Sequence, residues 1–279
     1  MKARAARRMT TLLGIGLAAY GGLVLLAYLG QERLLFLPQP LSEPQAAAIA
    51  ARHAGVARLD FEGADGTALH AWWVPPSPAA PVLLYFGGNA ENVAWMLDRV
   101  QGPGALVPGA GWLLVDYRGY GRSAGRPGET ELVADAVAAH DLVRARTDAA
   151  TPILSFGRSL GSGIAVQLAA RRSLAGLVLM TPFDSTVAVG RRHYAFLPVG
   201  TLLRHRFDSL ALAPTLQVPA LFLVAERDFV IPPAHARRLH DAWAGPKRWH
   251  ELPGVGHNDT ERVDYGAAVR AFVAPLPAR

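Results

Sequence analysis

Ile153-Leu154-Ser155-Phe156-Gly157-Arg158-Ser159-Leu160-Gly161-Ser162-Gly163 is the stretch on which the fold turns. A short apolar run, Ile153–Phe156, leads directly into the pattern G-x-S-x-G, and a helical pattern, Leu160–Arg171, leads out of it. A serine on so tight a strand-to-helix turn sits in strained backbone, and side chains two positions to either side would collide. Glycine at 157 and 161 removes those collisions. The helix that starts there points the positive end of its dipole at the same spot. Ser159 is therefore the candidate nucleophile. The bland alternative, a glycine-rich turn that merely joins strand to helix, leaves the serine between the glycines unexplained.

Further apolar runs flank this one: Val82–Phe86, Trp112–Val115, Leu177–Met180 and Leu221–Val224. Runs this short and apolar throughout suit strands buried on both faces of a parallel sheet. Helical stretches alternate with them, at Glu91–Arg99, Glu129–Arg146 and Pro233–Trp243. Ahead of the series, Arg58–Glu62 and Ala68–Val74 flank Asp65-Gly66, a strong hairpin turn signal. The pattern predicts an α/β fold, a mostly parallel twisted sheet flanked by helices and opened by an antiparallel hairpin. One long interruption, Phe183–Val218, spans about 36 residues between two buried strands and is the natural place for a short cap over a site.

A serine nucleophile needs a base, and the base needs an orienting acid. His257 lies in the tight loop Gly254-Val255-Gly256-His257-Asn258-Asp259, after the apolar-rich stretch Trp249–Leu252 where a last strand should end. Most of the other histidines fall within helices or beside arginines, where a solvated face is the plain reading. Asp228 follows the Leu221–Val224 strand and is the candidate acid; Asp184, after the preceding strand, is the reserve, with Glu226 and Asp259 behind it. The chain order Ser159, Asp228, His257 suits this kind of sheet. Two backbone N–H groups should hold the developing oxyanion, that of Leu160 after the nucleophile and one from the loop Tyr85-Phe86-Gly87-Gly88-Asn89-Ala90, assigned to Asn89 with Gly88 as its neighbour. A plain glycine turn before a helix is the alternative for that loop.

The N-terminus carries a different signal. Lys2, Arg4, Arg7 and Arg8 precede Met9–Gly30, a run of 22 residues without charge. As a helix that run is about 33 Å long, against roughly 30 Å of bilayer hydrocarbon. The expected reading is an uncleaved signal anchor, with a cleaved signal peptide as rival; the run is longer than a usual signal core and lacks a clear small-x-small cleavage site. The basic flank keeps residues 1–8 cytoplasmic and sends the body across the membrane, into the periplasm if the source is bacterial. Gly14, Ala18 and Gly22 recur every four residues, a small-residue stripe of the kind that lets two such helices meet, although chance is the plainer reading in so Gly/Ala-rich a segment. Residues 31–57 read as a linker with a short helix at Gln45–His53, and 58–274 as the catalytic body, with the cap at about 183–218.

Composition narrows the function. The formal charge is +6, but past residue 33 the excess is only about +2, too little and too dispersed for a nucleic-acid stripe. With 51% hydrophobic and 18% charged residues, general disorder is excluded. The absence of cysteine rules out disulfides, thiolate ligands and a lipoprotein anchor. No H-E-x-x-H or similar spacing suggests a metal, and neither Gly119-Tyr120-Gly121 nor Gly161-Ser162-Gly163 completes a phosphate-binding loop, so neither metal nor cofactor is expected.

The succession Tyr85-Phe86-Gly87-Gly88-Asn89-Ala90-Glu91-Asn92-Val93, Asp116-Tyr117-Arg118-Gly119-Tyr120-Gly121-Arg122-Ser123, Gly157–Gly161, Thr181-Pro182-Phe183 and Gly256-His257-Asn258-Asp259 resembles the α/β-hydrolase superfamily. Within it the chain is similar to single-span, membrane-tethered members, over about residues 58–274. Eukaryotic members of that branch include enzymes that remove palmitate from protein cysteines, and many bacterial members have no assigned substrate. The resemblance implies a serine hydrolase cleaving an ester or thioester of a small-molecule or acylated substrate, with Arg118 in a structural role. Relatives often carry His where this chain has Gly87, which singles out the oxyanion loop. A peptidase with the same triad and a non-catalytic tethered binding protein are the competing readings; filled triad positions speak against the second. Arg191, Arg192, Arg204 and Arg206 in the cap fit either a face for anionic lipid headgroups or a solvated basic face.

Overall fold

In the computed structural model, which describes residues 2–276, the chain opens with one long helix, α1 (Lys2–Leu35), and a short one, α2 (Glu43–Arg52). The α1 helix is long and apolar enough to cross a membrane. It continues five residues into the stretch read as linker, because the first helix-breaking residue is Pro38 and because Gln31 is held against the body by hydrogen bonds. Ser42 caps α2 through a capping box with Gln45.

The hairpin follows as β1 (Ala57–Glu62) and β2 (Ala68–Val74), with Gly66 at φ +78° supplying the left-handed turn position. Next come β3 (Val82–Phe86), α3 (Leu97–Val100), β4 (Gly111–Val115), α4 (Glu129–Arg146), β5 (Ile153–Arg158), α5 (Leu160–Ala169) and β6 (Gly176–Met180). Three short helices, α6 (Thr186–His193), α7 (Val199–Leu202) and α8 (Ser209–Leu212), fill the interval before β7 (Ala220–Ala225). The chain closes with α9 (Pro233–Ala242), β8 (Lys247–Leu252) and α10 (Gly266–Val273).

Eight strands form one sheet in the order β1-β2-β4-β3-β5-β6-β7-β8; β2 runs antiparallel to both β1 and β4, and every other pairing is parallel. Side chains alternate across it. Leu84, Phe86 and Leu179 face Ile164 of α5, Leu132 of α4 and Leu239 of α9, whereas Leu83, Tyr85 and Val178 face α2, α3 and α10. Burial on both faces explains why β3 to β7 read as continuous apolar runs. The edge strands carry the charges instead, Arg58, Asp60 and Glu62 on β1 and Lys247, Arg248 and Glu251 on β8, which discourages further pairing.

One helix differs from its sequence reading. The Glu91–Arg99 stretch is a 3₁₀ turn, Val93–Met96, running into α3, and Asn92 caps it by accepting from the Ala94 N–H. Glu91 stays outside the helix because its side chain turns inward and is buried. Arg118 is structural, as expected: it pairs bidentately with buried Asp135 on α4 and with Asp65 in the hairpin turn. It thereby locks the first two strands to the helix layer.

Candidate active site

The turn between β5 and α5 places Ser159 at φ +51°, ψ −116°, a region that non-glycine residues rarely occupy. The steric demand is visible on both sides. A Cβ at Gly157 would lie 2.3 Å from the Gly161 carbonyl oxygen, and one at Gly161 would lie 1.9 Å from that of Phe86. The Ser159 side chain makes no capping bond to its own helix, so its Oγ is free to point away from α5.

That oxygen lies 2.9 Å from His257 Nε2. On the other side of the ring, His257 Nδ1 is 2.7 Å from Asp228 Oδ2. Asp228 is almost fully buried, and its Oδ1 accepts from the N–H groups of Val230 at 2.9 Å and Ile231 at 2.7 Å. Two loops must meet to build this pair. Arg227 N–H donates to the Val255 carbonyl at 2.9 Å, and Gly254 N–H donates to Glu226 Oε2 at 2.6 Å. Glu226 thus holds the histidine loop against the aspartate loop rather than touching the ring. Asp259 pairs with Arg262.

Asp184, the reserve acid, is elsewhere. It accepts from His235 Nδ1 and Arg238 Nε, both at 2.7 Å, beneath α9. Burial works to raise its pKa, but the His235 and Arg238 hydrogen bonds outweigh it and hold the carboxyl below its ordinary value.

The loop after β3 is organised by a residue that the motif reading passed over. Glu91 Oε2 accepts from Gly88 N–H at 2.6 Å and from Arg158 Nη1 at 2.8 Å; its Oε1 accepts from Tyr85 OH at 2.5 Å and Trp95 Nε1 at 2.8 Å. Burial, and then the Glu91 charge, push the Tyr85 phenol well up, so it remains a donor. Burial acts to lower the Arg158 pKa and the Glu91 charge more than restores it. The residue between Gly157 and Ser159 is therefore tied to the glycine loop. Gly87 is what this requires: a Cβ there would meet Val93 Cγ1 at 2.8 Å and Glu91 Oε1 at 3.0 Å. Gly87 makes the room that an inward Glu91 occupies. Tyr117 OH donates to the Gly87 carbonyl at 2.7 Å, and Tyr120 OH lies 3.0 Å from Asn89 Oδ1. The one sequence signal for Glu91 was an acid within the glycine motif, and helix-start preferences explain that equally well.

Ser159, Leu160 and Asn89 line a cavity of about 290 Å³. Its other walls are mostly apolar side chains from the segment between β6 and β7, among them Phe183, Val189, Leu197 and Val199, with Thr186 and His193 as polar members, together with Ile231 and the end of α1. Among the described residues, no carboxylate lines it. Among the described residues, no group of three or more His, Asp or Glu side chains is placed to hold a metal ion.

Sheet order, elbow and loop positions define an α/β hydrolase, and the chain belongs to that superfamily. A family model described as "Serine aminopeptidase, S33" matches residues 106–197. The chain is 35% identical over 246 residues to "Uncharacterized protein Rv2307c" of Mycobacterium tuberculosis, covering 87% of this chain and 86% of that one. It is 28% identical over 268 residues to "Alpha/beta hydrolase domain-containing protein WAV2" of Arabidopsis thaliana, covering 88% and 86%. Among solved structures it is similar to an acetyl xylan esterase from Paenibacillus sp. R4, with a TM-score of 0.64 at 21% identity over 89% of this chain and 99% of that one.

Proposed function

We propose that this protein is a membrane-anchored serine hydrolase that cleaves a carboxylic ester or thioester through an acyl-enzyme. One observation carries the reading: a serine in strained backbone, 2.9 Å from a histidine whose far nitrogen is 2.7 Å from a buried aspartate. Ser159 Oγ attacks the substrate carbonyl while His257 Nε2 accepts its proton. Asp228 accepts from Nδ1–H, which fixes the tautomer and stabilises the imidazolium. The oxyanion lies between the N–H groups of Leu160 and Asn89. Gly88 is the less suitable second donor because its N–H already bonds to Glu91. The imidazolium then protonates the departing alcohol or thiol. Water attacks the acyl-enzyme with His257 again as base, releasing the acid and restoring Ser159.

A peptidase draws on the same triad, and the family model bears a peptidase's name. An aminopeptidase, however, needs an anionic group to hold the substrate's free ammonium, and among the described residues no carboxylate lines the cavity. The apolar walls favour an acyl chain. The anchor is α1, with Lys2, Arg4, Arg7 and Arg8 on the cytoplasmic side and the body across the membrane.

The test is turnover of p-nitrophenyl esters from acetate to palmitate by the detergent-solubilised full chain, beside Ser159→Ala. Turnover abolished by the substitution supports the reading; turnover that survives Ser159→Ala, or a folded wild type inert to the whole series, overturns it.

A further inference from the structure

The end of α1 does more than join a tether to the body. Ala27, Gln31, Leu34 and Leu35 line the same cavity as Ser159. The contact is specific. Gln31, an amide directly after the uncharged run, is only 7% exposed; it donates to the Leu202 carbonyl at 3.2 Å and accepts from Arg204 N–H at 2.8 Å. The Arg204 guanidinium lies over the Tyr28 ring at 4.4 Å and pairs with Glu32 at 3.3 Å. Phe36 enters the main core, and Leu37 N–H donates to Asn89 Oδ1 at 2.8 Å, so the end of the helix is bonded to the loop that carries Asn89. Farther up, Tyr20 OH donates to the Phe196 carbonyl at 2.8 Å.

This docking has a consequence for depth. Val24, Ala27, Tyr28, Gly30 and Gln31 are partly or fully covered by the body, which leaves Met9–Leu23 as the exposed apolar part of α1, touched by the body through the Tyr20 hydroxyl. That part is about 22 Å long, and the hydrocarbon is roughly 30 Å thick. Arg7 and Arg8 stop the span from sliding the other way. The missing length comes from Val24–Gly30, and whatever packs beside Tyr20–Gly30 lies at the depth of the lipid tails. There the cap segment exposes Tyr194 (46%) and Phe196 (59%), beside the cavity residues His193 and Leu197.

We infer that the last turns of α1 are a wall of the acyl pocket, and that the cap sits within the adjacent leaflet so that the pocket takes its acyl chain directly from the bilayer. The inference rests on the hydrolase reading above and names its substrate class: an ester or thioester whose chain lies in the leaflet. Arg204 then serves the helix–cap joint rather than lipid headgroups.

Full-length protein in nanodiscs of phosphatidylcholine and phosphatidylglycerol gives the test, with active sites counted by fluorophosphonate labelling. Ala27→Trp projects a ring into the cavity from the helix side, whereas Leu26→Trp adds the same ring on the exposed face. The ratio of p-nitrophenyl palmitate to butyrate turnover should fall about tenfold or more in Ala27→Trp, the cost of excluding about two methylenes. In Leu26→Trp it should stay within about twofold. Because the chain has no cysteine, Phe196→Cys and Asp148→Cys each carry a single environment-sensitive label; lipid-borne spin labels should quench the first and spare the second. An unchanged palmitate-to-butyrate ratio in Ala27→Trp, or equal quenching at the two sites, overturns the inference and leaves the hydrolase reading standing. A wild type that neither labels nor turns over either ester overturns both.

Discussion

Two histidine–aspartate pairs sit at the ends of neighbouring strands, and their bonds are the same length. His257 and Asp228 follow β8 and β7; Asp184 follows β6 and meets His235 on α9; each contact is 2.7 Å. The difference is the next partner. His257 presents its second nitrogen to Ser159 at the floor of an apolar cavity, and the neighbours of Asp228 are backbone N–H groups. Asp184 is clamped by Arg238 as well, which commits the second pair to holding α9 on the sheet. A His–Asp bond is thus a reusable part, and what faces its free nitrogen decides its use.

The largest expected effect separates the pairs by chemistry. Asp228→Asn should lower kcat about 10⁴-fold, by leaving His257 in the wrong tautomer. Asp184→Asn should leave kcat per labelled active site unchanged within about threefold; steady-state kinetics on a short ester reads both. Glu91→Gln comes next. It keeps the size of the side chain but weakens the anchor on Gly88 and Arg158, and kcat should fall about ten- to a hundredfold with less change in KM. Stability reverses the ranking of the pairs. Asp184→Asn leaves Arg238 and His235 without their carboxylate and should cost about 3 kcal/mol in urea unfolding, whereas Asp228→Asn keeps an acceptor for Val230 and Ile231 and should cost about 1 kcal/mol. The smallest effect is in pH. The depressed pKa of Asp184 contributes stability that is fully present above its unfolded value near 3.9 and is lost as pH falls through the folded value. Asp184→Asn should therefore flatten the acid limb of the stability profile below about pH 4, as read by urea midpoints against pH.

The local parts of this molecule are written in short segments. Gly157 and Gly161 are required by contacts within the elbow and by Phe86 on the next strand, so five residues announce the turn. Buried strands announce themselves through unbroken apolar runs. Asp228 and Asp184 were harder to tell apart, because each follows a strand and only the approach of His257 or His235 distinguishes them. Glu91 misled for a related reason: an acid at a helix start is ordinarily solvated, and its four inward partners come from Tyr85, Gly88, Trp95 and Arg158. The end of α1 was the least legible. Its run of apolar residues is what a bilayer demands, and nothing within it shows that Gln31 bonds to Leu202 and Arg204, 171 and 173 residues further along the chain.

An activated Ser159 reacts covalently with an electrophilic phosphonate, so labelling reads the nucleophile at the residue itself. Full-length protein treated with a fluorophosphonate should gain one adduct by intact mass, on the peptide that contains Ser159. The adduct should be absent in Ser159→Ala and form far more slowly in Asp228→Asn, while Asp184→Asn labels like wild type. Labelling that persists in Ser159→Ala, or a folded wild type that takes no label, would rule out Ser159 as the activated nucleophile.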